Sequence, residues 1–218
     1  MISIKSPDHL PWREIKEKRE QTKALYSSIF KVPLIYGTKK SVIYNIARDM
    51  SGKVLDIGGG DRFVGEICNG FNNGIEYKSI DIDNSRFHDY YSFDDIKERF
   101  NAVFLLDVLE HVSLADGKLL MEKSYQLLDP DGKIIVTVPN NLHPTCFHTD
   151  CTHITSYRYH DLGGLLMTCG FKDIQIFRIS AKKKFKHKLL ALILRPILKF
   201  LDIDFATGIL ITAKKEIQ

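Results

Sequence analysis

The chain has 218 residues, 44% of them hydrophobic and 27% charged, with a formal net charge of +4. That is long enough for one α/β domain with a full core and too short for two ordinary domains, and the composition excludes a disordered or collagen-like chain. No apolar run approaches the ~20 residues of a membrane-spanning helix, Met1 to Pro11 lacks the apolar core of a signal peptide, and the four cysteines form no CxxC pair, so a cytoplasmic protein with reduced thiols is expected.

Residues 1–50 read as a helical cover ahead of a domain spanning 51–218. Trp12 to Lys31 is dense in Lys, Glu and Arg, with Trp12, Ile15, Leu25, Tyr26, Ile29 and Phe30 as its apolar positions, and Pro33 closes it. A second helix is N-capped by Thr38, striped by Val42, Ile43, Ile46 and Ala47, and ended by Ser51-Gly52. Packing on the sheet and acting as a lid over an acceptor are both open to this segment.

The next stretch, VLDIGGGDRF from Val54 to Phe63, is a short apolar strand that ends at Asp56 and runs into Gly58, Gly59 and Gly60. Glycines there permit positive φ and leave no Cβ in the way, so a ligand can lie against the backbone where the next helix begins. Asp61-Arg62 follows where a triphosphate loop needs Gly-Lys-Ser/Thr, and Asp56 and Asp61 would repel a pyrophosphate. An acidic glycine turn suits a cationic ligand.

Phe63 to Cys68 begins a helix, and Tyr77 to Ile82 is a second strand with Asp81 and Asp83 at its end. Asp83 is placed to cap a helix near Asn84. Ser92-Phe93-Asp94-Asp95 has capping-box spacing ahead of the strand Phe100 to Leu106. After that strand Asp107, Glu110 and His111 share one face if a helix starts at once, and two carboxylates with an imidazole can bind a divalent cation or serve to orient the helix. Pro130-Asp131-Gly132 is a turn into the strand Ile134 to Val138; Gly170-Phe171 ends a helix, and Ile174 to Ile179 and Ile209 to Lys214 are the last strands. His143, Cys146, His148, Cys151, His153 and His160 cluster between them, without the pair spacings of a closed zinc site.

Asp56, Gly58 and Gly60 occupy the acidic-x-Gly-x-Gly positions of motif I, so the stretch resembles the class I S-adenosylmethionine-dependent methyltransferases, with Arg62 at the family's third glycine position. The resemblance covers about residues 50 to 180 and resumes at 205. It implies a Rossmann-like α/β fold: a seven-stranded, mostly parallel sheet, helices on both faces, and an antiparallel last strand. It also implies S-adenosylmethionine as donor, held by Asp56, Gly58, Gly59, Gly60, Asp81, Ile82 and Asp107. Asp81 is expected on the ribose hydroxyls, and Asp94 or Asp95 on the adenine amino group, unless these two only cap their turn. In ubiquinone-pathway and small-RNA methyltransferases a similar Glu-x-x-Glu-His pattern holds a metal, which points to Asp107, Glu110 and His111 as ligands here. Asp150-Cys151-Thr152-His153 resembles the family's Asp-x-Thr-His, making His153, with His111, the candidate base on an acceptor hydroxyl; packing the loop is the other role open to His153.

The charge is uneven, since Lys182 to Gln218 holds nine Lys/Arg against three Asp/Glu. Within 182–205, Leu189, Leu190, Ile193, Leu194, Ile197, Leu198 and Leu201 make a helical stripe behind a lysine cluster at Lys182 to Lys188, with Pro196 expected to kink or divide it. A basic apolar helix suggests an anionic membrane surface, with a dimer or core contact as the competing reading. The expected activity is O-methylation of a small or lipid-linked acceptor, such as a sugar or quinol-like ring. An RNA methyltransferase and a non-catalytic donor-binding protein are the rivals. The basic segment is too apolar for a solvated nucleic-acid groove.

Overall fold

The computed structural model describes residues 10–71, 74–181 and 185–216, and of residues 185–192 the backbone alone. Seven strands, β1 Leu34–Tyr36, β2 Gly52–Ile57, β3 Ile75–Ile80, β4 Phe100–Leu106, β5 Leu128–Pro139, β6 Phe171–Ser180 and β7 Gly208–Lys215, form one sheet. Their order is β1-β6-β7-β5-β4-β2-β3. Neighbours are parallel except at β7, which runs antiparallel to both β5 and β6. The helices are α1 Trp12–Leu25, α2 Lys39–Arg48, α3 Phe63–Asn69, α4 Leu114–Leu127, α5 Tyr159–Thr168 and α6 Phe185–Phe200.

Strand alternation divides the core into two layers. Leu55, Val103, Leu105, Val136 and Ile211 face one side and pack with Ile15 of α1, Leu120 and Met121 of α4, and Leu162 and Leu165 of α5. Their neighbours Val54, Ala102, Phe104, Ile135 and Leu210 face the other side and meet Val42, Ile43 and Ala47 of α2 and Val64 and Ile67 of α3. Thr38 caps α2, accepting from the Ser41 amide at 3.2 Å. On the outer layer α1 lies directly on α5, and the Gly163-Gly164 pair explains why they come so close: a Cβ on Gly164 would sit 2.7 Å from the Arg19 backbone nitrogen.

Four local expectations change. Leu34–Tyr36, within the stretch read as a helical cover, is a strand that completes the sheet beside β6, parallel to Arg178–Ser180. The Pro130-Asp131-Gly132 turn is a bulge inside β5: Phe100 pairs with Leu128 but Ala102 with Lys133, and Asp131 takes φ +61° to absorb the excess. No helix starts near Asn84; the Asp83 carboxylate instead accepts from the Ser85 amide at 2.9 Å, closing a local turn. Pro196 sits inside an unbroken α6 rather than dividing it. The lysine cluster at 182–188 lies outside the residues whose side chains are described.

Candidate active site

The parallel strands β2, β4 and β5 all end on one edge of the sheet, which is where an open α/β sheet receives ligands. The glycine turn after β2 is stitched to the end of β3. The Gly58 amide donates to the Ile80 carbonyl at 2.8 Å and the Gly60 amide to the Asp81 carboxylate at 2.8 Å. Gly58 is at φ +74°, and a Cβ there would meet Val108 Cγ2 at 2.4 Å, so another residue would strain the backbone and have to displace Val108. Asp81 uses its second oxygen to accept from the Asp83 amide at 2.9 Å. A cavity of about 300 Å³ opens in front, lined by Ile57, Gly58, Asp81, Ile82, Phe93 and Val108 among others.

Asp56 does not line that cavity. It is 2% exposed beneath the turn, accepts the Tyr77 hydroxyl at 2.9 Å, and is pushed up to about 7 chiefly by burial. It braces β2 against β3 through Tyr77. Asp94 and Asp95 are exposed, and of their turn it is Phe93 that lines the cavity; the Ser92 hydroxyl accepts from the Asp94 amide at 3.2 Å. Arg62, N-terminal to α3 at φ +60°, reaches across to bond the Phe87 carbonyl at 3.0 Å and the Asp89 carboxylate at 3.1 Å, and lies over the Tyr77 and Phe87 rings. It ties the segment after Asp81 to the glycine turn.

A second cavity, of about 410 Å³, adjoins the first and shares Asp107 and His111 with it. Asp107 has φ +53°, donates its amide to the Thr137 carbonyl at 3.0 Å, accepts the Thr137 hydroxyl at 2.8 Å and is ion-paired with Lys39 from the first turn of α2. Burial holds the Lys39 ammonium below its usual range, partly offset by the negative charge of Glu110. Lys39 had no sequence signal beyond following a helix cap.

The residues after Asp107 do not enter an α-helix. Leu109–His111 is one tight 3₁₀ turn, and α4 starts only at Leu114 behind the Ser113 cap. Asp107 is therefore parted from Glu110 and His111, and the expected trio on a single helical face does not form. His153 takes the vacated place: one ligand atom from each of Glu110, His111 and His153 lies within 4.8 Å of the others, the one such group among the described residues. Of the Cys/His-rich stretch 143–160, only His153 joins it. Glu110 is 1% exposed, among the described residues neither carboxylate oxygen has a hydrogen-bond partner, and burial raises it to about 7. A buried orphan carboxylate beside two imidazoles is a donor set that fits a divalent cation.

The loop after β5 sets the imidazoles. Its Ile154 and Thr155 amides donate to the Glu110 carbonyl at 2.8 and 3.1 Å, docking it against the 3₁₀ turn. His153 Nδ1 lies 2.7 Å from the Phe147 carbonyl, which can only accept, so Nδ1 carries the hydrogen and Nε2 the lone pair. Thr152 gives its one hydroxyl hydrogen to Asp150 at 2.7 Å, and its oxygen is 2.9 Å from His111 Nδ1; His111 must then donate from Nδ1 as well. Bonds from Thr152 hold the Asp150 carboxyl below its usual range, keeping it an acceptor. Asp150 and Thr152 thus fix the His111 tautomer and the Phe147 carbonyl that of His153, and the rings stand 4.8 Å apart, edge to face.

A doubly edged crevice on such a sheet, with a glycine turn and an acidic residue after the neighbouring strand, defines the class I S-adenosylmethionine-dependent methyltransferase fold. The methyltransferase domain model matches residues 39–176, and the chain belongs to that family. Among solved structures it is similar to an S-adenosylmethionine-dependent methyltransferase from Archaeoglobus fulgidus, at 20% identity over 82% of this chain and 95% of that one, with a TM-score of 0.66. Human N-acetylserotonin methyltransferase in complex with S-adenosylmethionine matches at 18% identity over 94% of this chain and 57% of that one, TM-score 0.53. The [4+2]-cyclase SpnF shares the fold at 12% identity, 95% and 94% coverage and a TM-score of 0.54. At such identities these likenesses establish the fold alone. A search of curated proteins finds no significant match.

Proposed function

We propose that this methyltransferase methylates a hydroxyl oxygen of a small or lipid-linked acceptor, such as a sugar or a quinol-like ring. The observation that carries the reading is the pair of imidazoles at the acceptor cavity, both held with the lone pair on Nε2. S-adenosylmethionine supplies the electrophilic methyl on a sulfonium. In this reading Asp81, with the open backbone of the glycine turn beside it, holds the adenosine side, and Asp107, which lines both cavities, the amino-acid side. The acceptor oxygen gives its proton to His153 Nε2 as the new C–O bond forms and the C–S bond breaks, and His111 keeps the neighbouring ring in place. The rest of the rate comes from holding both partners in line and out of water.

Glu110 supports a second role for the same imidazoles. With a divalent cation, Glu110, His111 and His153 would be the ligands, and the cation would lower the acceptor hydroxyl's pKa. Asp107 is then a neighbour rather than a ligand, since Thr137 and Lys39 already engage it. A lone pair bound to metal cannot also take a proton, so metal and general base are exclusive uses of His153 Nε2. Thermal denaturation with Mn²⁺ or Zn²⁺ separates them: a stabilisation present in the wild type and lost in Glu110→Gln supports the metal.

Transfer of radiolabelled methyl to a panel of quinols, catechols and sugars tests the oxygen acceptor. Ether products that disappear in His153→Ala support it. Turnover confined to RNA, with salt-sensitive RNA binding, would replace it with the nucleic-acid reading. Donor binding without turnover on any acceptor would leave a non-catalytic binding protein.

A further inference from the structure

α6 leaves the body of the protein at Ala181 and returns at Gly208, and both positions line the acceptor cavity. The insertion is rooted firmly. Asp204, 5% exposed, accepts from Arg178 of β6 at 2.9 Å and from Asn140 at 2.8 Å, and Asn140 begins the loop that carries His153. Past this root one face of the helix is bare among the residues whose side chains are described: Ile193 is 65% exposed, Ile197 55% and Phe200 88%. Isolated exposed apolar residues need no explanation, but a helical stripe of them does. Every charged side chain from Lys182 to Leu201 is basic, and Arg195 and Lys199 sit within the exposed stretch itself.

Resting on the reading of the acceptor site given above, we propose that α6 is an interfacial helix that lies in the headgroup layer of an anionic bilayer, bringing the mouth of the acceptor cavity to the membrane surface. The apolar stripe matches the acyl boundary, and the basic side chains, Arg195 and Lys199 among them on the opposite face by helical spacing, match anionic headgroups; burial in a protein core or a dimer through the stripe would leave those charges without anionic partners. No helix among the described residues is long and apolar enough to cross a membrane, so the helix lies on the bilayer. The buried Arg178–Asp204–Asn140 anchor fixes where the cavity mouth stands relative to that plane.

Flotation with phosphatidylcholine vesicles, with and without phosphatidylglycerol, tests this on the full chain, with calorimetric binding of S-adenosylhomocysteine measured alongside. The wild type is expected to float with the anionic vesicles only, and less at high salt. Arg195→Glu with Lys199→Glu is expected to weaken binding on the order of 25-fold or more, from about fivefold for each basic side chain. Ile197→Glu with Phe200→Glu is expected to abolish it, and neither double variant should alter S-adenosylhomocysteine binding. A wild type that stays in solution with anionic vesicles while binding S-adenosylhomocysteine overturns the proposal, as does a dimer by light scattering that Ile197→Glu with Phe200→Glu dissociates. Loss of S-adenosylhomocysteine binding in the wild type would instead overturn the methyltransferase reading, whatever the vesicles show.

Discussion

The two halves of the crevice are built in opposite ways. In the proposed reading the donor half centres on one run of backbone, Gly58 to Gly60, held by the end of β3, with Asp81, Ile82, Phe93 and Val108 completing its lining. The acceptor half is assembled from side chains on four separate segments: Lys39 on α2, Asp107 to His111 after β4, Asp150 to His153 after β5, and the roots of α6. A contiguous backbone site tolerates little change in any one position but needs few residues; a convergent side-chain site can change its acceptor by changing one loop.

Substitutions on each side would sharpen or break the contrast. The largest effect is expected on the acceptor side, where His153→Ala should lower turnover about 10²- to 10⁴-fold while leaving donor affinity unchanged, read by single-turnover transfer beside calorimetry. A loss of donor affinity there would mean that the halves are not separable. Next comes a pH effect on the donor side. Asp56 is raised from 3.8 to about 7, so the folded protein stays protonated where the unfolded chain has ionised. Stability is therefore expected to fall between about pH 4 and pH 7, by no more than about 4 kcal/mol, and Asp56→Asn, which can still accept from Tyr77, should flatten the curve. Urea denaturation at several pH values checks the slope; an unchanged slope would remove Asp56 as its source.

Gly58→Ala should cost about 2 to 4 kcal/mol of stability, from the positive φ and the collision with Val108 together. Adding Val108→Ala should return only the collision, leaving the backbone cost visible in the same unfolding experiment. The smallest effect is expected for Asp81→Ala. Unpairing a charged hydrogen bond should weaken S-adenosylmethionine binding by about 1 to 3 kcal/mol, measured calorimetrically.

How much was legible differs between the halves for the same reason. Strand periodicity puts Gly58 to Gly60 and Asp81 at strand ends, and the structure has them there, at the edge where a parallel sheet binds ligands. The Asp56 carboxylate meets Tyr77 of the next strand, and in sequence a strand-end carboxylate reads the same whether it faces a ligand or such a neighbour. Asp107 misled because its left-handed backbone, with the 3₁₀ turn behind it, breaks the helical spacing that joined it to Glu110 and His111. His153 was singled out by its motif, but its approach to Glu110 depends on how the loop after β5 docks on the Glu110 carbonyl.

Sequence alone determined the alternation of strands and helices, the glycine turn and the acidic, basic and apolar character of each segment, because those follow from local periodicity and from residue chemistry at short range. Only the tertiary structure decided which side chains meet. The strand at Leu34–Tyr36, the Lys39–Asp107 pair and the Glu110, His111 and His153 group each join residues far apart in the chain, and such contacts are set by how whole elements pack rather than by any pattern within one of them.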